Sequence, residues 1–182
     1  MDTVQFSKPI LLKNKQTVEL RFPNSQDKQT FYNYYNELYK EDTFTFYSRP
    51  LSLTESESFL KSILISLTQK TAIYLGAFTN GELIGLVTSR REGFRREHIC
   101  QVGLTVAKQH RGNGIGRALM EEIISLSQSM LQAKLITLDY FANNQKAHNL
   151  YKSLGFEKIG EVPNGVYYQG HYYNNVLMCK RL

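Results

Sequence analysis

No apolar run in this chain approaches the roughly 20 residues that span a bilayer, so no membrane helix is expected. The start, M-D-T-V-Q-F-S-K-P-I, carries an acid at position two and no long apolar stretch. No secretory signal is therefore expected, and the compartment this suggests is the cytoplasm. Cysteine is scarce: Cys100 and Cys179 lie far apart and make no C-x-x-C pair, which reads as two free thiols. Histidine is scarce too. His98, His110, His148 and His171 stand at no metal-ligand spacing, and no metal is expected. Repeats, low-complexity tracts and Pro/Ser-rich linkers are also missing, and 182 residues at about 150 per domain give a single domain over 1–182.

What is present is an ordinary globular composition, 42% hydrophobic and 21% charged, which argues against disorder. One bulk feature stands apart. With 22 Lys+Arg against 16 Asp+Glu the net charge is +6, which favours an anionic partner: nucleic acid, an acidic surface or a phosphorylated cofactor.

The periodicity predicts a strand at 17–22, where T-V-E-L-R-F alternates polar and apolar. Ser25 can cap a helix carrying Phe31, Tyr34, Tyr35 and Leu38 at i, i+3, i+4, i+7 spacing. Thr54-Glu55-Ser56-Glu57 reads as a capping box before a second helix that buries Phe59, Leu60, Ile63, Leu64 and Leu67. Strands at 72–78 and 82–89 flank Asn80-Gly81, a hairpin signal because both turn positions want positive φ. A strand at about 97–107 leads to a third helix with the stripe Ile115, Leu119, Ile123, Leu126 and Met130. A strand at 134–139, a helix at 144–154 closed by Gly155, and strands at about 156–168 and 172–181 complete the chain. One strand–helix–strand unit in a hairpin-rich chain predicts an α+β fold, a mixed, mostly antiparallel sheet flanked by helices.

Chemistry concentrates at Leu104–Leu119, L-T-V-A-K-Q-H-R-G-N-G-I-G-R-A-L. A strand enters a loop with three alternating glycines, Gly112, Gly114 and Gly116, and a helix begins there. Glycines let main-chain N–H groups converge on a ligand, and the helix start adds partial positive charge. Arg111 and Arg117 bracket the loop, which has the makings of a pyrophosphate cradle. No lysine follows Gly116 as a Walker A loop requires. The spacing G-x-G-x-G also differs from the dinucleotide fingerprint, although Asp139, 23 residues after Gly116 (139 − 116), stands near where a ribose-binding acid would.

Arg111-x-x-Gly114-x-Gly116 resembles the pyrophosphate loop of the GNAT family of N-acetyltransferases, and Leu104-x-Val106 resembles the strand before it. Asn144-x-x-Ala147-x-x-Leu150-Tyr151-x-x-x-Gly155-Phe156 resembles the family's second motif nearly position for position. The resemblance implies a central sheet of about seven strands with about four helices, and acetyl-CoA as co-substrate without a metal. It implies a cofactor site of Leu104, Thr105, Val106, Arg111, Gly112, Asn113, Gly114, Ile115, Gly116, Arg117, Asn144 and Tyr151. A main-chain N–H near Val106 polarises the thioester in this scheme, and Tyr151 protonates the leaving thiolate. Asn144 and Tyr151, seven residues apart, share one helix face. The base that deprotonates the acceptor amine is sought on the strand before the loop, where Glu97 and His98 are the candidates, with solvent as the alternative.

The acceptor, a small-molecule amine or a peptide, stays open. Phe31, Tyr32, Tyr34, Tyr35, Tyr39, Phe44, Phe46 and Tyr47, with Tyr167, Tyr168, Tyr172 and Tyr173, could wall its pocket, with core packing the simpler role for most of them. The tail resembles a bacterial branch that carries an acid where Asn174 or Asn175 stands here. Family resemblance also admits a homodimer. Two other readings compete: a nicotinamide-cofactor oxidoreductase using the glycine loop and Asp139, and a nucleic-acid-binding module using Arg90, Arg91, Arg95 and Arg96. For that basic run a solvated hairpin tip is favoured over nucleic acid.

Overall fold

In the computed structural model, which describes residues 5–45 and 49–182, the sheet starts earlier than the alternation predicts. An edge strand β1 (Ser7–Leu11) pairs antiparallel with β2 (Thr17–Arg21). Periodicity misses β1 because nearly all of it is exposed and it carries Pro9, which only an edge tolerates. β2 buries Val18 and Leu20, as its alternation requires.

Two helix starts move. Asn24, not Ser25, caps a 3-10 turn at Ser25–Asp27, with Asp27 bonded back to the Asn24 N–H, and α1 (Lys28–Glu41) follows. Ser52, not Thr54, caps α2 (Leu53–Gln69), with Glu55 closing the capping box onto the Ser52 N–H at 2.8 Å. In both cases a small polar side chain just upstream reaches the orphan donors of the first turn. The buried faces of the two helices are otherwise close to expectation: Phe31, Tyr34, Tyr35 and Leu38 on α1, and Leu60, Ile63 and Leu67 on α2. Phe59 and Leu64 are half-buried.

The hairpin β3 (Ala72–Thr79) to β4 (Glu82–Arg91) turns at Asn80 and Gly81, with φ of 48° and 78°. Then come β5 (Ile99–Val106), α3 (Ile115–Leu131), β6 (Leu135–Phe141), α4 (Gln145–Ser153), β7 (Glu157–Tyr168) and β8 (His171–Arg181). The eight strands form one sheet in the order β1-β2-β3-β4-β5-β6-β8-β7. All pairs are antiparallel except β5–β6. A doubly wound parallel sheet is thus absent from the described residues, and with it the frame that a dinucleotide fingerprint needs. α3 packs on one face across β3, β4 and β5, while α1 and α2 cover the other. Ile115, Leu119 and Ile123 are essentially sealed from solvent, and Leu131 rather than Met130 ends the stripe.

The feature that creates the site is a parting of strands. β5 and β6 pair only over Ile99–Gln101 and Leu135–Thr137. Beyond that point β5 stays with β4 through Val106 and β6 stays with β8 through Phe141. The sheet opens between them, and α3 starts at the mouth of the opening.

No helix of the described residues is long and apolar enough to cross a membrane. Nor does any group of three or more His, Cys, Asp or Glu among them form a metal site.

Candidate active site

The opening is a cleft of about 1140 Å³. Its one edge is β5. Ala107 donates its N–H to Ile84 O of β4 at 2.9 Å. By antiparallel alternation the N–H groups of Leu104 and Val106 then point away from β4, toward the gap that β6 has left, whereas Val102 of the same parity still lies beside Thr137 in the β5–β6 pairing. Two main-chain donors therefore line a strand edge that has lost its partner. Thr105 has the opposite parity. Its hydroxyl accepts from Tyr34 Oη at 2.9 Å, tying β5 to α1.

At the mouth, Gly112 and Gly114 adopt φ of 84° and 95°, a region that side chains resist. A Cβ at either would meet nothing within 4 Å, so backbone conformation is the reason for glycine there. Gly116 differs: it has no positive φ, and a Cβ on it would make ordinary contact with Leu104 at 3.4 Å and Leu150 at 3.5 Å. Gly114 is the cap residue of α3 and no side chain bonds to its first turn. The donors that a helix cannot satisfy internally are left for a ligand, with the positive end of the helix dipole behind them. The loop thus has the backbone conformation that a phosphate cradle would need, and Asn113 is the one residue of 111–117 outside the cleft lining. Asn113 O instead receives the Lys13 N–H at 3.5 Å, and Lys13 brings its own cation to the cleft.

The flanking arginines are engaged. Arg111 donates through Nε to Val106 O at 2.8 Å and grips Glu41 with both terminal nitrogens, at 2.5 and 2.8 Å. It fastens the end of α1 to the loop, and its charge is met within the protein. Arg117 bonds Ser153 Oγ at 2.6 Å and pairs with Glu121 at 3.4 Å, bridging α3 to α4.

α4 supplies the far wall. Asn144 caps it, its Oδ1 accepting from Ala147 N at 3.1 Å, which leaves the amide NH₂ for a ligand. Tyr151, one helix face along, is only 6% exposed and lies against the Tyr140 ring at 5.8 Å and the Phe156 ring at 6.0 Å. Burial, and then the nearby Asp139 and Tyr140, push its phenol up to about 12. Tyr151 is therefore a neutral donor at any ordinary pH. Tyr140 is also raised, chiefly by burial, and its hydroxyl meets His148 Nδ1 at 2.6 Å.

Glu97 and His98 are elsewhere. Both are exposed at the opening end of β5, outside the cleft lining. Six residues of extended chain, about 20 Å, separate His98 from Leu104. The reason is the register: β5 is closed by β6 at exactly that end, where His98 O accepts from Lys134 and Leu135. As candidates for the base they have no geometric support.

The carboxylate that the cleft does contain is Asp139, on β6 just past the point where the strands part. Gln101 Nε2 donates to its Oδ1 at 3.3 Å and Asn175 Nδ2 to its Oδ2 at 2.9 Å. Both donors fix its orientation. An acid inside the otherwise apolar run L-I-T-L-D-Y-F was the available signal. Asp139 shares its sheet face with Gln101 by strand parity, on the α1 side, whereas Tyr140 beside it faces α4.

The aromatic residues divide. Phe31, Tyr34 and Tyr35 are core. Phe44 packs on Phe141 (5.8 Å) and Tyr168 (5.0 Å), and Tyr168 Oη donates to Asp42 O at 2.6 Å, closing the α1 side of the cleft. Tyr167 and Tyr172 pair with each other in solvent. Phe46 and Tyr47 lie outside the described residues. The basic hairpin also divides: Arg96 pairs with Glu92 at 2.6 Å at an exposed tip, whereas Arg90 turns into the cleft.

Comparison with known proteins agrees with this architecture. The chain is 31% identical over 104 residues to the L-amino acid N-acetyltransferase AaaT of Escherichia coli (strain K12), a match covering 54% of this chain and 64% of that protein. The chain thus spans less than two thirds of that curated relative. An acetyltransferase of the GNAT family from Streptococcus pneumoniae superposes with a TM-score of 0.79 at 28% identity, over 91% of this chain and 99% of the other. The yncA protein of Salmonella typhimurium, solved with its cofactor acetyl-CoA, superposes with a TM-score of 0.79 over 91% of this chain and 94% of that one. At 18% identity it attests the fold alone. The sequence profile of the acetyltransferase (GNAT) family matches residues 30–156, well over half the chain. Strands that part over a glycine cradle, with the second motif on the opposite wall, are how this sequence realises that family's fold: the chain belongs to the GNAT family of acetyltransferases.

Proposed function

We propose that this chain transfers the acetyl group of acetyl-CoA to a primary amine by direct attack in a ternary complex. The observation that carries the reading is the cleft between β5 and β6, which offers a glycine cradle at its mouth, an unpaired strand edge along one side, and Asp139 and Tyr151 on its far wall. The N–H groups of the 112–117 loop would hold the pyrophosphate, and those of Leu104 and Val106 would bond the pantetheine arm as a neighbouring strand does. A main-chain N–H on the same edge polarises the thioester carbonyl, a contribution of roughly 3–4 kcal/mol for one preorganised donor.

The chemical step needs a neutral amine. Asp139 takes one proton from the bound ammonium, and the neutral nitrogen bonds to the carbonyl carbon; the second proton the nitrogen sheds leaves with the sulfur as free thiol. The carbon–sulfur bond then breaks, and the thiolate sulfur is met by the Tyr151 hydroxyl. A phenol near 12 facing a thiol of about 8.5 is short of outright transfer by roughly 3.5 pKa units, about 5 kcal/mol. Tyr151 acts first as a hydrogen-bond donor to the forming thiolate, and the dry surroundings that raise the phenol raise the thiol as well, which narrows the gap. The acceptors named for the relatives include L-amino acids, which is the class of nucleophile this step requires. A panel of amines with acetyl-CoA as donor, read by free-thiol release, tests the reading. Thiol and N-acetyl product in equal amounts support it. Tight nicotinamide dinucleotide binding with none for acetyl-CoA would overturn it.

A further inference from the structure

Among the described residues, Arg90 is a cleft cation that no carboxylate pairs. Arg111 has Glu41, Arg117 has Glu121 and Arg96 has Glu92, whereas the hydrogen bond of Arg90 runs from Nη2 to the Tyr74 hydroxyl at 3.0 Å. Tyr74 is buried and orients the guanidinium from below. Arg90 is also remote from the phosphate cradle. β4 lies beside the cradle-proximal end of β5 at Gly85, opposite Val106, and five residues of strand, about 17 Å, separate Gly85 from Arg90. Arg90 is exposed to solvent, so its free guanidinium edge is open to an anion that enters on the acceptor side.

The register places this cation two strands from the base, about 10 Å between strand axes. Arg90 is directly opposite Gln101, and Gln101 is the residue that donates to Asp139 at 3.3 Å. All three are on the α1 face of the sheet by parity, with one side chain between the cation and the carboxylate. An α-amino acid, hydrogen-bonded through its amine at one end and its carboxylate at the other, spans roughly 8 Å between the two protein groups. We propose that Arg90 is the specificity-determining residue for the acceptor and that it binds a carboxylate next to the reacting amine, so that the acceptor class is a free α-amino acid rather than a protein N-terminus. Asp139 holds the ammonium and then takes its proton; Arg90 pairs the carboxylate through its planar fork. A peptide, whose first carbonyl is an uncharged amide, would leave the guanidinium without its ion.

This inference rests on the acetyl-transfer reading, and its test separates the two. Steady-state thiol release is measured for a series of free amino acids, their carboxamides and the matching decarboxylated amines, in the parent protein and in Arg90→Gln and Arg90→Lys. The parent should favour the carboxylate form over its carboxamide by about 10- to 100-fold in kcat/KM, the scale of a hydrogen-bonded charge. Arg90→Gln should erase most of that ratio through KM, and Arg90→Lys, which keeps the charge without the fork, should retain part of it. A parent that acetylates carboxamides or peptides as well as free amino acids, or a ratio that survives Arg90→Gln, would overturn the assignment alone. Absence of thiol release with every amine would overturn both the assignment and the reading beneath it.

Discussion

Replacing Asp139 by asparagine separates a base from a merely polar neighbour. The substitution preserves shape and one acceptor oxygen, so the contact from Asn175 at 2.9 Å can persist while the new NH₂ confronts the Gln101 donor. One hydrogen bond of two is lost, about 1 kcal/mol of stability. The catalytic cost is larger, because positioned bases contribute roughly 10²- to 10⁴-fold. Its pH dependence is distinctive. The ammonium of a free amino acid, held by its own carboxylate above the value of about 8 of a peptide N-terminus, is less than about one-tenth neutral at pH 7, and without a base only that fraction reacts. The rate of Asp139→Asn should therefore climb about tenfold per pH unit from pH 6 to beyond pH 8, and the deficit relative to the parent should be widest at low pH. Steady-state thiol release from pH 6 to 9 measures both profiles. Turnover at pH 7 within two- or threefold of the parent, with an unchanged profile, would refute the role of Asp139.

Tyr151→Phe should lower kcat by about 10²- to 10⁴-fold while acetyl-CoA affinity stays near the parent's, measured by turnover and equilibrium titration. It should also change alkaline stability. The folded protein holds the Tyr151 proton to about 12 against a reference of 10.0, so the unfolded chain releases it first and stability falls as pH rises through that window. The parent should lose stability on the order of 3 kcal/mol between pH 10 and 12 that Tyr151→Phe does not lose, read from urea midpoints. Gly114→Ala places a side chain at φ 95°, and should raise the acetyl-CoA Kd about tenfold or more by distorting the cradle, since no steric clash stands in the way. Ser52→Ala removes the α2 cap, which should cost about 1 kcal/mol and lower Tm by roughly 2–4 °C in a thermal melt.

Much of the fold is legible because local chemistry and tertiary demand coincide. Asn80-Gly81 needs positive φ and has it, the stripe on α3 is buried, and Gly155 closes α4 at φ 81°. β1 is illegible for the converse reason: an exposed edge strand has no buried face to impose alternation. At the site, what depends on backbone conformation is readable in the glycines. What depends on register is not. Nothing in the order of residues says that β6 leaves β5 after Thr137, yet that single fact removes Glu97 and His98 from the cleft and puts Asp139 in it. Likewise Arg111 looks like a phosphate ligand until Glu41, 70 residues earlier, arrives beside it. The net charge of +6 is thereby reapportioned. Arg96, Arg111 and Arg117 answer an internal acid, so the proposed cradle relies on main-chain dipoles with Lys13 nearby.

The central claim is that the gap between β5 and β6 receives acetyl-CoA along an unpaired strand edge and a glycine cradle. Backbone amide hydrogen exchange with and without acetyl-CoA tests it most directly. Protection should appear at the amides of Leu104 and Val106 and across 112–117, with little change at Glu97 and His98. Protection that leaves those amides untouched, or that NADH produces there and acetyl-CoA does not, would contradict it.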